Sequence, residues 1–143
     1  MIFCDTSALA KFYVQETESA AIRRRFDKED EVCVSELARV ELVAVFHRRL
    51  REGKWSREVF DDAVQQFWQD DIGGYWTWYP VDALTLEAAS KAYVTLSPSV
   101  LLRSADCIHL ITAVRHNHAA VFTYDAHQTL AATEFGLVPS VVM

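Results

Sequence analysis

The sequence predicts an α/β fold in which a mainly parallel sheet is covered by helices on both faces. Three observations carry this. Short runs rich in Ile, Val, Phe, Trp and Tyr recur along the chain without the polar alternation of a sheet that has one wet face. Helical segments stand between successive runs. The 143 residues, 51% of them hydrophobic, suit one domain spanning 1–143 that buries roughly two thirds of its unfolded surface.

Taken in order, "IFCD" is a short buried strand, and Asp5 at its end suits the cap of a helix in "SALAKFYVQE". "ESAAIRRRFD" is a second helix and "VCVS" a second strand, with Ser35 placed to cap the long helix "ELARVELVAVFHRRLREG", which stops near Gly53. Ser56 caps "SREVFDDAVQQFWQDDI", and Gly73 with Gly74 ends it. "YWTWYPV" is aromatic and β-branched, a third strand. A helix follows Asp82, "SPSVLLR" is a loop or the lead-in to a helix, and "SADCIHLITAVRHNH" is helical. "AVFTYD" is a fourth strand, "AHQTLAATEFG" a helix ended by Gly136, and "LVPSVV" a last strand.

Composition excludes several classes. Four Gly and three Pro rule out a collagen-like or disordered chain. No run reaches the roughly 18 apolar residues of a membrane span. The apolar start lacks a basic region and is broken by Asp5, so a soluble, cytoplasmic protein is expected. Cys4, Cys33 and Cys107 lie among apolar residues with no C-x-x-C pair, which points to reduced, buried thiols. A net charge of −6 argues against general coating of nucleic acid. The cations are nevertheless clustered, as Arg23, Arg24 and Arg25, and as Arg48, Arg49 and Arg51 within "HRRLREGK". Such clusters are either solvated helix faces or phosphate contacts.

The acids are more informative. Asp5 and Asp125 fall at predicted strand ends, where parallel sheets bind ligands. On the long helix, Glu41 has Leu37, Ala38, Ala44 and Val45 as its neighbours three and four residues away, so its charge sits on an apolar face. It either serves a site or reaches solvent or Arg39. Asp106 opens another apolar helix, and it and Asp125 each have the plainer reading of a helix-terminal acid. Four carboxylates converging without a cation repel one another unless a divalent ion neutralises them. All-oxygen ligation favours Mg2+ or Mn2+ over zinc, and such ions support phosphodiester hydrolysis. Glu41 is then strained by its acidic neighbours, so Glu41→Gln is expected to leave the fold intact or more stable.

"DTSAL", "VSELARVE" ending at Glu41, "RSADCIHLITA", and "FTYD" followed by "FGLVPSVV" together resemble, in order and spacing, the PIN-domain ribonucleases. The resemblance is to the VapC-type toxins of toxin–antitoxin pairs and runs over nearly the whole chain. It implies a three-layer α/β/α sandwich and metal-dependent cleavage of RNA with Mg2+ or Mn2+. It places the acidic quartet on Asp5, Glu41, Asp106 and Asp125. A hydroxyl that orients metal or phosphate falls on Thr6 or Ser7, and Thr123 supports Asp125. An antitoxin partner and a homodimer are further implications, and with RNA as substrate the two arginine clusters become candidate contacts. The aromatic stretch "WQDDIGGYWTWYP" departs from the expected pattern.

Other readings compete less well. A phosphoaspartyl enzyme using Asp5 as nucleophile needs a second Asp where Ser7 stands and a late Lys, and none follows Lys91. A PIN scaffold that binds RNA or protein without cutting is the non-enzymatic alternative. "HNH" at 116–118 reads as a solvated helix end, His109 as a packed core residue, and the Trp76 and Trp78 pair as core packing, with partner or base contact as its alternative.

Overall fold

A computed structural model describes residues 1–141. The elements are β1 (Ile2–Cys4), α1 (Thr6–Tyr13), α2 (Ser19–Phe26), β2 (Val32–Ser35), α3 (Ala38–Arg51) and α4 (Arg57–Ile72). They continue as β3 (Trp76–Tyr79), α5 (Ala83–Thr95), α6 (Ser104–Arg115), β4 (Ala120–Phe122), α7 (Ala126–Ala132), a 3₁₀ turn (Thr133–Phe135) and β5 (Val138–Ser140). Val142, part of the expected last strand, lies outside the described residues.

All strand pairs are parallel, in the order β3-β2-β1-β4-β5. From β1 the chain steps outward to β2 and β3, then crosses back to the other side of β1 for β4 and β5. The reversal places the carboxyl ends of β1 and β4 side by side, where open parallel sheets form a crevice.

Each face of the sheet carries its own core. Ile2 and Cys4 point into one, with Leu9, Ile22, Leu42, Phe46 and Phe67 from the first four helices. Phe3 and Val121 point into the other, with Leu110 and Ala132 from the later helices. This is the three-layer sandwich, and it explains why β1 and β2 show no polar alternation: every residue in them is buried. The three cysteines are buried and free.

Asp5, Ser56, Asp82 and Asp125 cap their helices as their sequence positions suggest. Ser35 does not cap α3. The Glu36 N–H donates to the Tyr79 carbonyl (2.8 Å), which prolongs the β2–β3 pairing, and the Ser35 hydroxyl accepts from the Leu37 N–H (3.2 Å). The helix therefore starts only at Ala38.

Candidate active site

Asp5, Glu41, Asp106 and Asp125 all line one cavity of about 630 Å³ at the carboxyl end of the sheet. Thr6, Ser7, Lys11, Arg48, Arg49, Arg103, His109 and Gln128 line it with them. Four separate pieces of chain supply the acids: the β1–α1 turn, α3, α6 and the β4–α7 turn.

Asp5 is 2% exposed. Its Oδ1 accepts from the Ser7 hydroxyl (2.6 Å) and the Ala8 N–H (3.1 Å), and its Oδ2 from the Thr123 hydroxyl (2.5 Å). Burial dominates and raises its pKa, and the nearby His109 and these three bonds lower it only part of the way back. Thr123 also accepts the Asp125 N–H (3.1 Å), so it serves both turns, and Ser7 accepts the Tyr124 N–H (2.8 Å). A carboxylate so enclosed on both oxygens is poorly placed for the nucleophilic role of a phosphoaspartyl enzyme.

Glu41 Oε1 accepts from the Thr6 hydroxyl (2.7 Å) and is 2.6 Å from His109 Nε2. Arg39 is not its partner: that guanidinium bonds Asp71 (2.5 Å) and lies 4.1 Å over the Trp78 ring. Burial alone would raise the Glu41 pKa. The bonds from His109 and Thr6, with Arg103 nearby, outweigh it and hold the carboxyl below its ordinary value. The site's own donors thus favour the charged Glu41 carboxylate, against the expectation that acid–acid repulsion strains it.

His109 is a core residue, 1% exposed, yet it reaches the site. With Glu41 ionised its Nε2 is the donor, and among the described residues its Nδ1 has no hydrogen-bond partner. The sequence did hold a signal: His109 stands three residues after Asp106, on the same face of α6. Gln128 is a site residue that sequence reasoning missed. It is 1% exposed, and among the described residues neither end of its amide has a hydrogen-bond partner. In "DAHQ" a glutamine would ordinarily bond back to the cap N–H, but Thr123 takes that N–H.

The expectation of acids without a nearby cation fails. Arg103 Nε donates to Asp106 Oδ2 (3.2 Å), and its Nη2 lies 3.8 Å from Asp125 Oδ2. Asp125 also uses Oδ1 to cap α7 through the Gln128 N–H (2.9 Å). Lys11 lines the cavity too, paired with Glu16 and Glu18 and 4.9 Å from the Tyr124 ring centroid. Among the described residues no three His, Cys, Asp or Glu side chains are grouped to hold a metal ion. The protein's own donors engage each carboxylate. In chemistry the set still fits a hard divalent cation: four carboxylates and flanking hydroxyls face one directly paired guanidinium.

The arginine clusters separate. Arg48 and Arg49 line the cavity, paired with Glu52 (2.9 Å) and Glu16 (2.8 Å). Arg51 is not among the lining residues, nor are Arg23, Arg24 and Arg25. Arg23 donates to the Phe12 carbonyl, Arg25 pairs with Glu29, and Arg24 is exposed. Away from the site, His116 is the exposed C-cap of α6 and stacks on Tyr79 (3.7 Å between centroids), and half-buried His118 is 2.8 Å from the Tyr79 hydroxyl, so the helix end is solvated and also rests on Tyr79. Trp76 is 4% exposed and bonds the Tyr13 hydroxyl, while Trp78 bonds Asp71.

The family description "PIN domain" matches residues 2–134. The chain is 27% identical over 147 aligned positions to Ribonuclease VapC47 of Mycobacterium tuberculosis (strain CDC 1551 / Oshkosh), covering 96% of this chain and 94% of that protein. Solved structures of similar fold include M. tuberculosis VapC20, described as a sarcin–ricin loop cleaving toxin (TM-score 0.71, 16% identity, 92% and 95% coverage). FitAcB from Neisseria gonorrhoeae is similar as well (0.72, 15%, 97% and 96%). So is VapBC2 from Rickettsia felis bound to a DNA fragment from the promoter (0.70, 11%, 100% and 100%).

Proposed function

The chain belongs to the PIN-domain family, and from that premise we propose that it is a Mg2+- or Mn2+-dependent endoribonuclease, the toxin of a toxin–antitoxin pair. One observation carries this: Asp5, Glu41, Asp106 and Asp125, drawn from four elements, line a single cavity at the switch point of the sheet.

These four carboxylates are the residues that would hold the ion, which would supply Lewis-acid polarisation of a phosphoryl oxygen and a more acidic water. The protein's own groups do the positioning. Ser7, Thr123 and the Ala8 N–H fix the Asp5 carboxylate. Thr6 and His109 both bond Glu41 through Oε1. Glu41 Oε2 takes neither bond and is the oxygen left to accept a proton from attacking water, as a weakened base, since the bonds to Oε1 hold the carboxyl below its ordinary value. Arg48 and Arg49, about two turns of α3 beyond Glu41, lie where flanking phosphates of an RNA strand would pass.

The similarity to FitAcB and to VapBC2 supports a cognate antitoxin as partner, and a homodimer is the assembly proposed with it. Exposed Trp68, Ile72 and Tyr75, near the end of α4, offer apolar surface for such contacts. No helix among the described residues is long and apolar enough to cross a membrane, and the cytoplasm is where this substrate is met.

A scaffold that binds without cutting is the second reading, favoured by the engagement of Asp106 with Arg103 and of Glu41 with His109. RNA cleavage by the purified chain separates the two. The nuclease reading expects activity with Mg2+ or Mn2+, loss with EDTA and recovery on adding the metal back. Activity unaffected by EDTA would refute the metal requirement, and no cleavage of any RNA with either metal would favour the scaffold.

A further inference from the structure

Arg103 stands where a helix normally wants a different residue. Among the described residues, α1, α4, α5, α6 and α7 are each entered through an extended residue at the cap position. Four of those residues are Asp or Ser and accept a backbone N–H. Arg103, before α6, accepts none. An arginine there forgoes the cap and sets a cation against the positive end of the helix dipole. Local stability therefore does not explain the choice, and a residue that breaks a local rule calls for a role elsewhere.

Its side chain supplies one. It bonds Asp106 on its own helix and faces Asp125 across the cavity, joining two acids of the quartet, yet it is 69% exposed. A guanidinium cannot shed its proton to relieve charge, and its fork of donors can leave one set of oxygens for another. Resting on the metal-dependent reading, we propose that Arg103 is the quartet's own counter-ion, which cedes Asp106 and Asp125 to the divalent ion and then binds an RNA phosphate. The same cation thus keeps the acids from repelling one another before the metal arrives and contacts substrate afterwards. Because a metal ion and a guanidinium cannot both occupy the same carboxylate oxygens, metal binding makes Arg103 available, and metal and RNA bind cooperatively through it.

The test is a calorimetric Mn2+ titration of the wild-type chain and Arg103→Gln at low ionic strength. Arg103→Gln is expected to bind Mn2+ about three- to tenfold more tightly, the worth of two exposed ion pairs, with the gap narrowing at high salt. A second arm measures binding of a single-stranded RNA oligonucleotide with and without Mn2+ to wild type and Arg103→Gln, read by stopped flow before cleavage sets in so that the quartet stays whole. Mn2+ is expected to tighten RNA binding more with Arg103 present than with Gln in its place. Equal or weaker Mn2+ binding by Arg103→Gln overturns the counter-ion role and leaves the metal reading standing. An unchanged Mn2+ enhancement of RNA binding overturns the phosphate role. Absence of Mn2+ binding by both proteins overturns the metal-dependent reading, and this inference falls with it. Arg103→Gln should melt lower than wild type in metal-free buffer, where Asp106 and Asp125 lose their counter-ion, with the gap closing as Mn2+ is added; a lower melting temperature with unchanged Mn2+ affinity would make Arg103 a structural clamp instead.

Discussion

Asp5 follows a strand buried throughout, and its carboxylate goes into the interior with it. Its pKa is raised by burial, whereas that of Glu41 is lowered by His109 and Thr6 against burial. The two acids should therefore respond to pH with opposite sign in metal-free buffer. A raised folded pKa contributes stability that is present at acid pH and lost as pH climbs through it. Asp5→Asn should then melt at or above wild type near pH 8, with the gap closing toward about pH 4. A lowered folded pKa contributes stability that is present above the unfolded value and lost as pH falls. Glu41→Gln should melt below wild type at neutral pH and converge with it in acid. Thermal melts across that range decide both, and a stabilised Glu41→Gln would restore the repulsion picture. His109→Phe keeps the packing but drops the bond to Glu41, and should lower RNA cleavage about ten- to a hundredfold, with His109→Gln partly restoring it. The four acids were legible because each sits at the end of an element or on an apolar face. His109 showed only its helix spacing from Asp106, because its partner Glu41 lies 68 positions away, and Arg103 showed only its nearness to Asp106, because Asp125 is brought to it by the fold.

At the scale of elements, the β1–α1 and β4–α7 turns are clasped by hydroxyls. Ser7 accepts the Tyr124 N–H, Thr123 donates to Asp5, and the two hydroxyl oxygens are 3.4 Å apart. Ser7→Ala and Thr123→Val should each destabilise the chain by about 1–3 kcal/mol, by leaving a buried group unpaired. Because both act on Asp5, their effects should not add, with a coupling of about 0.5–3 kcal/mol in a double-mutant cycle by denaturant unfolding. Strict additivity would show that the turns are held independently. Strands and most caps could be read from the sequence because burial on both faces leaves an apolar run and an extended residue before a helix favours Asp or Ser. The start of α3 could not, because a ladder bond from Glu36 to a strand far along the chain delays it.

Across the whole molecule, the parallel sheet was foreseeable from alternating elements, but its order was not, since nothing local tells the fourth strand to return beside the first. That return brings Asp5 and Asp125 together and fixes the site at the sheet's carboxyl end. Charge follows the same division: a chain of net charge −6 gathers Lys11, Arg48, Arg49 and Arg103 on the walls of its acidic cavity. Replacing Arg48 and Arg49 by Ala should weaken RNA binding and flatten its salt dependence by about 0.7 for each phosphate no longer neutralised, while Ala at Arg23, Arg24 and Arg25 should change it little. Salt titrations of RNA affinity distinguish the clusters, and an equal loss from the α2 set would move the RNA path. The central claim, that the four carboxylates form one hydrolytic centre, is tested most directly by initial rates of RNA cleavage in Mn2+ for wild type, Asp5→Asn, Glu41→Gln, Asp106→Asn and Asp125→Asn, each checked for folding. Every folded variant should lose at least about a hundredfold, the scale seen when a catalytic group is removed. A folded variant that cleaves at the wild-type rate would show that its acid is only a cap or an ion-pair partner, and two such variants would contradict the quartet altogether.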